Sequence, residues 1–421
     1  MNRSGIFSSG RIYLKRAALS FLTAAFLLSG CSSAEETNTD SAASSDTQNP
    51  QNGSETAESS GETFTDSEKE AMYGRALRIA SACAEASAEI SADGNNSEDR
   101  YSLSAMQSVA ARLGELGYSV SDTDNRINME NYGSVESFCE KAAAGETAET
   151  SFTLLMSTDS FVYYEAKADG GSLHMARCTV YTVNGTPEAG YYESFAAEDW
   201  KYTEKGYLLF DQYRMPGYDG PPGEIAVRVR PLDPACLEYN ETYVRPVGYS
   251  LNAMLISDWS ESDGYGQLNF YDLYDIMYRI EYGADPPYPY KFTGITYEIP
   301  APEFESVLGT HLALDTGLLR SRTVYYADRD TYLYAPRGLN DAEYPYGPVP
   351  EVTACESLPD GTLRLTVEAV YAVELNDRAI VSELTVRPLN NGGFQYVSNR
   401  VTETYEGISG KWYTPRVELT G

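Results

Sequence analysis

The sequence contains few basic side chains and very few histidines. Its 421 residues include 31 lysines and arginines against 62 aspartates and glutamates, which gives a net charge of −31, and its only two histidines are His174 and His311. Proteins that bind nucleic acid neutralise phosphates with clustered Lys and Arg, so this composition argues against a nucleic-acid partner. It also restricts any catalytic triad or histidine-ligated metal site to His174 or His311.

The chain also lacks the short motifs of common catalytic sites. It contains no nucleophile elbow, helical zinc-protease motif, phosphate-binding loop or dinucleotide-binding fingerprint. His311 lies at helical spacing from Val307 and Leu308, which favours a structural role over a functional one. His174 and Cys178 lie about 13 Å apart along a predicted strand, too far to share one metal ion. We therefore expect no catalytic residue, no metal site and no cofactor.

Two acidic segments match calcium-binding loops only in part. The segment that begins at Asp122 has Arg126 at a ligand position and Ile127 where the calcium loop requires glycine. The segment that begins at Asp93 lacks the same glycine. We interpret both as loops that terminate helices.

Residues 1–30 have the pattern of a targeting segment. Basic residues from Arg3 to Arg16 precede an apolar run, Ala17 to Ser29, that spans roughly 20 Å as a helix and is shorter than the ~30 Å hydrocarbon core of a bilayer. The run ends in Leu-Ser-Gly-Cys at residues 28–31, which resembles the lipobox of bacterial lipoproteins. The resemblance implies a cleaved signal peptide, a lipid on Cys31, and a location on the extracytoplasmic face of the bacterial cell membrane. The alternative is an ordinary secretory signal with a chance cysteine.

Residues 31–65 form the next segment, which begins with the lipidated cysteine. From Ser32 to Asp66 there is no Lys or Arg and one aromatic residue, Phe64, among many Ser, Thr, Glu and Asp residues. Such a composition cannot bury a core, so we predict a disordered tether. The membrane is then a partner only through the lipid on Cys31.

Beyond the tether, the pattern indicates an α+β fold in two modules. In residues 66–214, the first part has the apolar spacing of amphipathic helices. After Gly145 the apolar residues alternate instead, as in strands joined by short turns. Residues 215–262 form a proline-rich connector. Residues 263–405 repeat the order of helices and then strands, and residues 406–421 form a tail or an edge strand. We predict that each module is a curved antiparallel meander packed on helices.

Several element boundaries have local signals. Thr65 with Glu68 indicates a capping box, and Asn269 indicates the start of a second-module helix. Asp-Gly-Gly at residues 169–171 indicates a hairpin. From Leu363 to Val373, alternate residues are apolar, which predicts a strand with one buried face.

Five segments within roughly residues 240–402 carry a resemblance to a known family. They are NFYDLY, PEFE, PDGTL, LTVR and FQYVSN, at residues 269–274, 302–305, 359–363, 384–387 and 394–399. Together they resemble a family of uncharacterised lipoproteins of Gram-positive gut bacteria. The motifs belong to helix caps, turns and strands, so the resemblance implies secretion and lipid anchoring and nothing about chemistry.

Six cysteines are present, and Cys31 is assigned to the lipid. The remaining five, an odd number, leave at least one thiol unpaired; they are Cys83, Cys139, Cys178, Cys236 and Cys355. Cys83 and Cys139 lie on apolar helix faces, so burial as small apolar side chains is favoured, with a Cys83–Cys139 disulfide as the alternative. No spacing indicates a zinc or redox motif.

Tyrosine is in clear surplus, with 35 copies against 3 tryptophans. A tyrosine has an apolar face and a polar tip, which suits sugar rings and protein interfaces, although half-exposed sheets also use it. Proline-rich loops contain Tyr288, Tyr290, Tyr344 and Tyr346, and we predict that these four form an exposed ligand rim.

Three functions remain open. The favoured hypothesis is a non-enzymatic surface binding or structural module whose partner is a wall glycan or an envelope protein. A cell-wall or glycan hydrolase with an acidic site is the first alternative, although so many acidic residues prevent the choice of a catalytic pair. The second alternative is the substrate-binding lipoprotein of an importer. Such a protein has parallel sheets, which require strands that alternate with helices, whereas this sequence groups its helices before its strands.

Overall fold

The computed structural model describes residues 64–92, 100–183, 185–218, 223–291, 294–338, 347–405 and 412–419. The expected signal peptide, Cys31, almost all of the tether, Tyr344 and Tyr346 lie outside these residues. The described helices are α1 (Asp66–Ala92), α2 (Leu103–Glu115), α3 (Tyr132–Ala143), α4 (Pro234–Tyr239), α5 (Phe270–Tyr282), α6 (Ala301–His311) and α7 (Thr316–Ser321).

The described strands belong to four sheets and mix with these helices in an α+β fold, as the sequence predicts. In chain order they are β1 (Val120–Asp122), β2 (Ala148–Leu155), β3 (Phe161–Asp169), β4 (Ser172–Val183), β5 (Thr186–Ala196), β6 (Trp200–Tyr202), β7 (Tyr207–Phe210), β8 (Ile225–Arg228), β9 (Trp259–Ser260), β10 (Tyr297–Pro300), β11 (Tyr325–Tyr326), β12 (Thr331–Tyr334), β13 (Val349–Ser357), β14 (Leu363–Val370), β15 (Ile380–Pro388) and β16 (Phe394–Thr404).

In the main sheet of the first module, β1-β2-β3-β4-β5, the central strands β3 and β4 are covered on both faces. Residues two apart on a strand share a face, and Phe161 and Tyr163 of β3 pack in one core cluster with α1 and α2. Tyr164 and Ala166 belong to a second cluster with α3 and the antiparallel sheet β6-β7-β8. The expected meander therefore lies between two layers.

One strand pair of this sheet is parallel. Strand β1 pairs with β2 in parallel, with Val120 opposite Thr153, while β2 to β5 form the expected antiparallel hairpins. Parallel neighbours need a crossover connection, and α3 provides it. No periodic pattern in the sequence predicts this βαβ unit, because β1 has only three residues.

The second module has one large cluster of buried side chains. The antiparallel sheet β13-β14-β15-β16-β9 packs on α5 and α6, and the small sheet β10-β12-β11 completes the layer. Leu365, Val367 and Ala369 of β14 are fully buried on one face. The apolar face predicted for this strand is confirmed.

The predicted helix starts are confirmed by hydrogen bonds. At α1, the Thr65 backbone N–H donates to Glu68 Oε2 at 2.8 Å, and the Glu68 backbone N–H donates to Thr65 Oγ1 at 3.3 Å. At α5, Asn269 Oδ1 accepts the backbone N–H of Tyr271 at 2.9 Å. These bonds satisfy donors that a helix start leaves without partners.

The proline-rich connector contains regular structure. It contains β8, α4, a π-helical segment at Asn240–Val244, and β9. Pro234 lies at the start of α4, where its missing N–H and fixed φ favour the helix. Val244 and Trp259 are buried in the second-module core, so this segment is part of the fold.

Candidate functional site

An open cleft of about 850 Å³ lies at one end of the first module. Its walls are the end of α3, the β3–β4 hairpin, the end of β5, and β6. The side chains that line it include His174, Trp200 and Tyr202. The cleft thus brings together one of the three tryptophans and one of the two histidines of the chain.

Trp200 is held in place by the β3–β4 hairpin. Its indole Nε1–H donates to the carbonyl oxygen of Gly171 at 2.9 Å, and its backbone N–H donates to Asp199 Oδ1 at 2.8 Å. Gly171 has a φ of 88°, a left-handed conformation that a side chain would strain. The predicted Asp-Gly-Gly turn therefore supplies the acceptor that positions the indole.

Tyr202 is connected to α3 and to Arg230. Its hydroxyl donates to Glu136 Oε1 at 3.4 Å, and the same oxygen accepts Arg230 Nε–H at 2.8 Å. Burial is the main reason that the pKa of Tyr202 lies well above its usual value, and the nearby Arg230 opposes the shift. Tyr202 is therefore a neutral hydroxyl group at neutral pH.

Carboxylates lie along one side of the cleft. Glu198 and Asp199 line it. Both residues form backbone hydrogen bonds with Asp211: the Glu198 N–H donates to the Asp211 carbonyl oxygen, and the Asp211 N–H donates to the Asp199 carbonyl oxygen, both at 2.9 Å. Burial, followed by repulsion from Glu224 and from the two cleft carboxylates, raises the pKa of Asp211. The cleft can therefore offer hydrogen-bond acceptors beside an indole ring.

A second polar cluster is buried where the two modules meet. Glu351 of β13 accepts the Tyr207 hydroxyl at 2.6 Å and lies 3.2 Å from Arg228 and 2.9 Å from Lys205. Lys205 also donates to Glu368 at 2.9 Å. Tyr207 stays protonated because burial, followed by the charge of Glu351, raises its pKa well above the usual value. These contacts tie β7 and β8 of the first module to β13 and β14 of the second.

Each charge in this interface cluster has an opposite charge beside it, which suits a structural role. A neighbouring cavity of about 130 Å³ is lined mainly by apolar groups, among them Val349 and Val370. Because buried charges are tolerated when they are paired and hydrogen-bonded, the cluster fixes the geometry of the interface. The cavity is small for a ligand.

The predicted tyrosine rim lies in the second module, away from the cleft. Tyr288 is half-buried, its ring contacts the Tyr334 ring at a tilted angle, and its hydroxyl donates to Glu303 at 2.9 Å, whereas Tyr290 is exposed. Tyr344 and Tyr346 lie outside the described residues. The ligand rim remains a prediction, and the Tyr288 side chain packs partly against the core.

The contacts of His311 agree with the structural role predicted for this histidine. Its ring is buried on α6, with Nδ1 3.2 Å from the Phe394 carbonyl oxygen, and burial lowers its pKa. His174 lies on β4 beside the cleft. Among the described residues, no group of three or more His, Cys, Asp or Glu side chains is arranged to hold a metal ion.

The Asp122 segment differs from its interpretation as a helix-terminating loop. It follows β1 rather than a helix, and the Asp122 carboxylate turns the chain by accepting the backbone N–H groups of Arg126 and Ile127, both at 2.8 Å. The Asp93 segment lies outside the described residues.

The alternative Cys83–Cys139 disulfide is not formed. The two thiols are free and lie in separate core clusters, one on α1 and one on α3. Burial raises the pKa of each to about 12, as expected of small apolar side chains.

The cleft was not found from the sequence. Its components lie on four separate elements, and no local motif connects them. The one available signal was compositional, since Trp200 and His174 are rare residues in this chain.

The fold and the cleft define an α+β protein with two sheet-based modules and an open site lined by aromatic and acidic groups. The chain belongs to DUF6070, a family of unknown function whose profile matches residues 72–416. No curated protein matches the chain, and no solved structure matches it. In the part of the chain that the structure describes, no helix is both long and apolar enough to cross a bilayer.

Proposed function

We propose that this chain is a lipid-anchored, non-enzymatic binding protein on the extracytoplasmic face of a bacterial membrane, and that its cleft binds a neutral glycan. The lipobox-like sequence before Cys31 and the acidic tether support the location. The observation that carries the binding site is Trp200, whose indole is fixed by Gly171 within an open cleft.

The chemistry of the cleft favours a sugar polymer. The C–H faces of a sugar ring stack on an indole, and sugar hydroxyls donate to carboxylates such as Glu198 and Asp199. An open cleft admits a chain segment rather than only a small molecule. The net charge of −31 repels polyanions, which favours a neutral glycan over an anionic wall polymer.

The proposal is tested with the full chain in detergent and a panel of neutral oligosaccharides: chito-oligosaccharides, β-glucans, xylans and mannans. We expect one of these classes to bind, and Trp200→Ala to weaken its binding at least about tenfold, because the stacking surface is lost. Trp200→Phe should retain part of the affinity. Isothermal titration measures the dissociation constants, and thermal melting checks that each variant is folded.

Two exposed tyrosines provide matched controls. Tyr191 is on β5 outside the cleft, and Tyr290 belongs to the predicted rim. Tyr191→Ala and Tyr290→Ala should leave affinity unchanged. A loss with Tyr290→Ala but not Trp200→Ala moves the site to the rim, and no binding across the panel rejects a neutral glycan.

The hydrolase alternative has one observation in its favour. Asp211 is next to the cleft rather than in its lining, its backbone pairs with Glu198 and Asp199, and its pKa is raised; glycoside hydrolysis uses an acid of raised pKa paired with a second carboxylate. The same panel separates the two functions, because a hydrolase releases new reducing ends from the sugar. Asp211→Asn should abolish this release. The importer alternative stays a prediction from the sequence.

A further inference from the structure

Cys236 and Cys355 come from distant parts of the sequence and lie side by side. Cys236 is buried on α4, in the connector, and Cys355 is exposed on β13 of the second-module sheet. The Cys355 thiol is among the groups that perturb the Cys236 thiol, which places the two side chains next to each other. Neither residue belongs to the cleft or to the interface cluster.

The backbone explains why the two thiols meet. Cys355 is opposite Leu365 in the β13–β14 register, and Leu365 is fully buried, so Cys355 is on the face of the sheet that packs on the helices. Strand β13 is an edge strand, and α4 packs directly against it. Just after α4, Asn240 Oδ1 accepts the Val352 backbone N–H at 3.2 Å. This bond fixes the segment one helical turn beyond Cys236.

We propose that Cys236 and Cys355 are a redox-active thiol pair. An external disulfide oxidises the two thiols to a disulfide bond, which links the connector covalently to the second-module sheet. The inference does not depend on the proposed function.

The chemistry proceeds by two thiol–disulfide exchanges. The exposed Cys355 thiolate attacks an oxidant such as oxidised glutathione, forming a mixed disulfide and releasing one glutathione. The Cys236 thiolate then attacks the Cys355 sulfur and releases the second. The protein thiols lose two electrons and two protons, which the oxidant gains as two glutathione thiols. Burial, with Cys355 nearby, raises the pKa of Cys236 to about 12, so the second step should accelerate as pH rises.

The link has a structural consequence for the whole chain. Glu241, in the π-helical segment after α4, lies 2.7 Å from Arg126 of the first module. The disulfide would connect this segment covalently to the second module and close a long loop, which restricts the unfolded state.

The test treats the full chain with oxidised glutathione, alkylates the remaining thiols in denaturant, and identifies linked peptides by mass spectrometry. We expect one dithiothreitol-sensitive peptide pair that joins Cys236 to Cys355, formed faster at pH 8.5 than at pH 7. We also expect a higher unfolding midpoint in denaturant for the oxidised form. Cys355→Ser should abolish both effects, and Cys139→Ser, which changes a buried thiol in another core cluster, should abolish neither.

Three results overturn the proposal. The first is a stable glutathione adduct on Cys355 while Cys236 remains alkylatable. The second is a link from either residue to another cysteine. The third is full alkylation of both thiols after oxidation. The unmodified chain gives the peptide result, so the test does not depend on the folding of a variant.

Discussion

At the residue scale, Asp122 shows how a short motif can acquire a different role in the fold. Its sequence context matches a calcium loop only in part and predicts a helix-terminating loop, but in the structure its carboxylate is a buried acceptor for backbone N–H groups after β1. Burial outweighs those hydrogen bonds and raises the pKa of Asp122 to about 6. The folded protein therefore holds a proton on Asp122 more tightly than the unfolded chain does.

This shift predicts a pH dependence of stability. An unfolded Asp titrates near 3.9, so the folded state binds the proton more tightly, and stability falls as pH rises from about 4 through about 6. A shift of two units corresponds to roughly 3 kcal/mol. We expect the difference in unfolding free energy between wild type and Asp122→Asn to decrease by up to that amount between pH 4 and 8, as measured by urea denaturation. A difference that is constant with pH contradicts the assignment.

At the element scale, the pattern predicted the strands whose two faces differ in polarity. Strand β15 alternates fully buried residues, including Leu384 and Val386, with half-buried ones such as Thr385. Capping residues also predicted where α1 and α5 start. It missed the parallel β1–β2 pair, since a three-residue strand has too few positions for a periodic signal.

Leu384 tests the buried face of the second-module sheet. Leu384→Ala should cost about 2–4 kcal/mol through lost burial and a residual cavity. The adjacent Thr385→Ala, on the other face, should cost less than about 1 kcal/mol. Urea unfolding followed by tryptophan fluorescence measures both, and equal costs would show that the two faces do not differ in packing.

At the scale of the whole molecule, buried opposite charges join the two modules. In the part of the chain that the structure describes, a small apolar cluster that includes Tyr207, Leu209 and Val370 also spans this contact. Because removal of one partner leaves a buried charge unpaired, this interface should favour one relative orientation. Attachment to a membrane is a separate property, which we propose depends on Cys31.

The proposed lipid anchor is tested by removing the protein atom to which the lipid would be attached. Cys31→Ala removes the sulfur, and we expect the protein to move from the membrane fraction to the soluble fraction with an unchanged melting temperature. The protein is strongly acidic, with a net charge of −31 for the full sequence that includes the four basic residues of the signal segment, so the body should not bind anionic lipid by itself. Cell fractionation with immunoblotting measures the change, with Cys355→Ala as the control. Continued membrane retention of Cys31→Ala rejects the lipoprotein assignment.

The sequence alone determined the α+β class, the capped starts of α1 and α5, the hairpin that holds Trp200 and the buried face of β14, because each depends on residues only a few positions apart. Tertiary structure decided the cleft, the Glu351 charge cluster and the meeting of Cys236 with Cys355. These features unite side chains from distant elements, and their proximity depends on strand register and helix packing. A single sequence has no local signal for those contacts, since burial and pairing at such positions are properties of the complete fold.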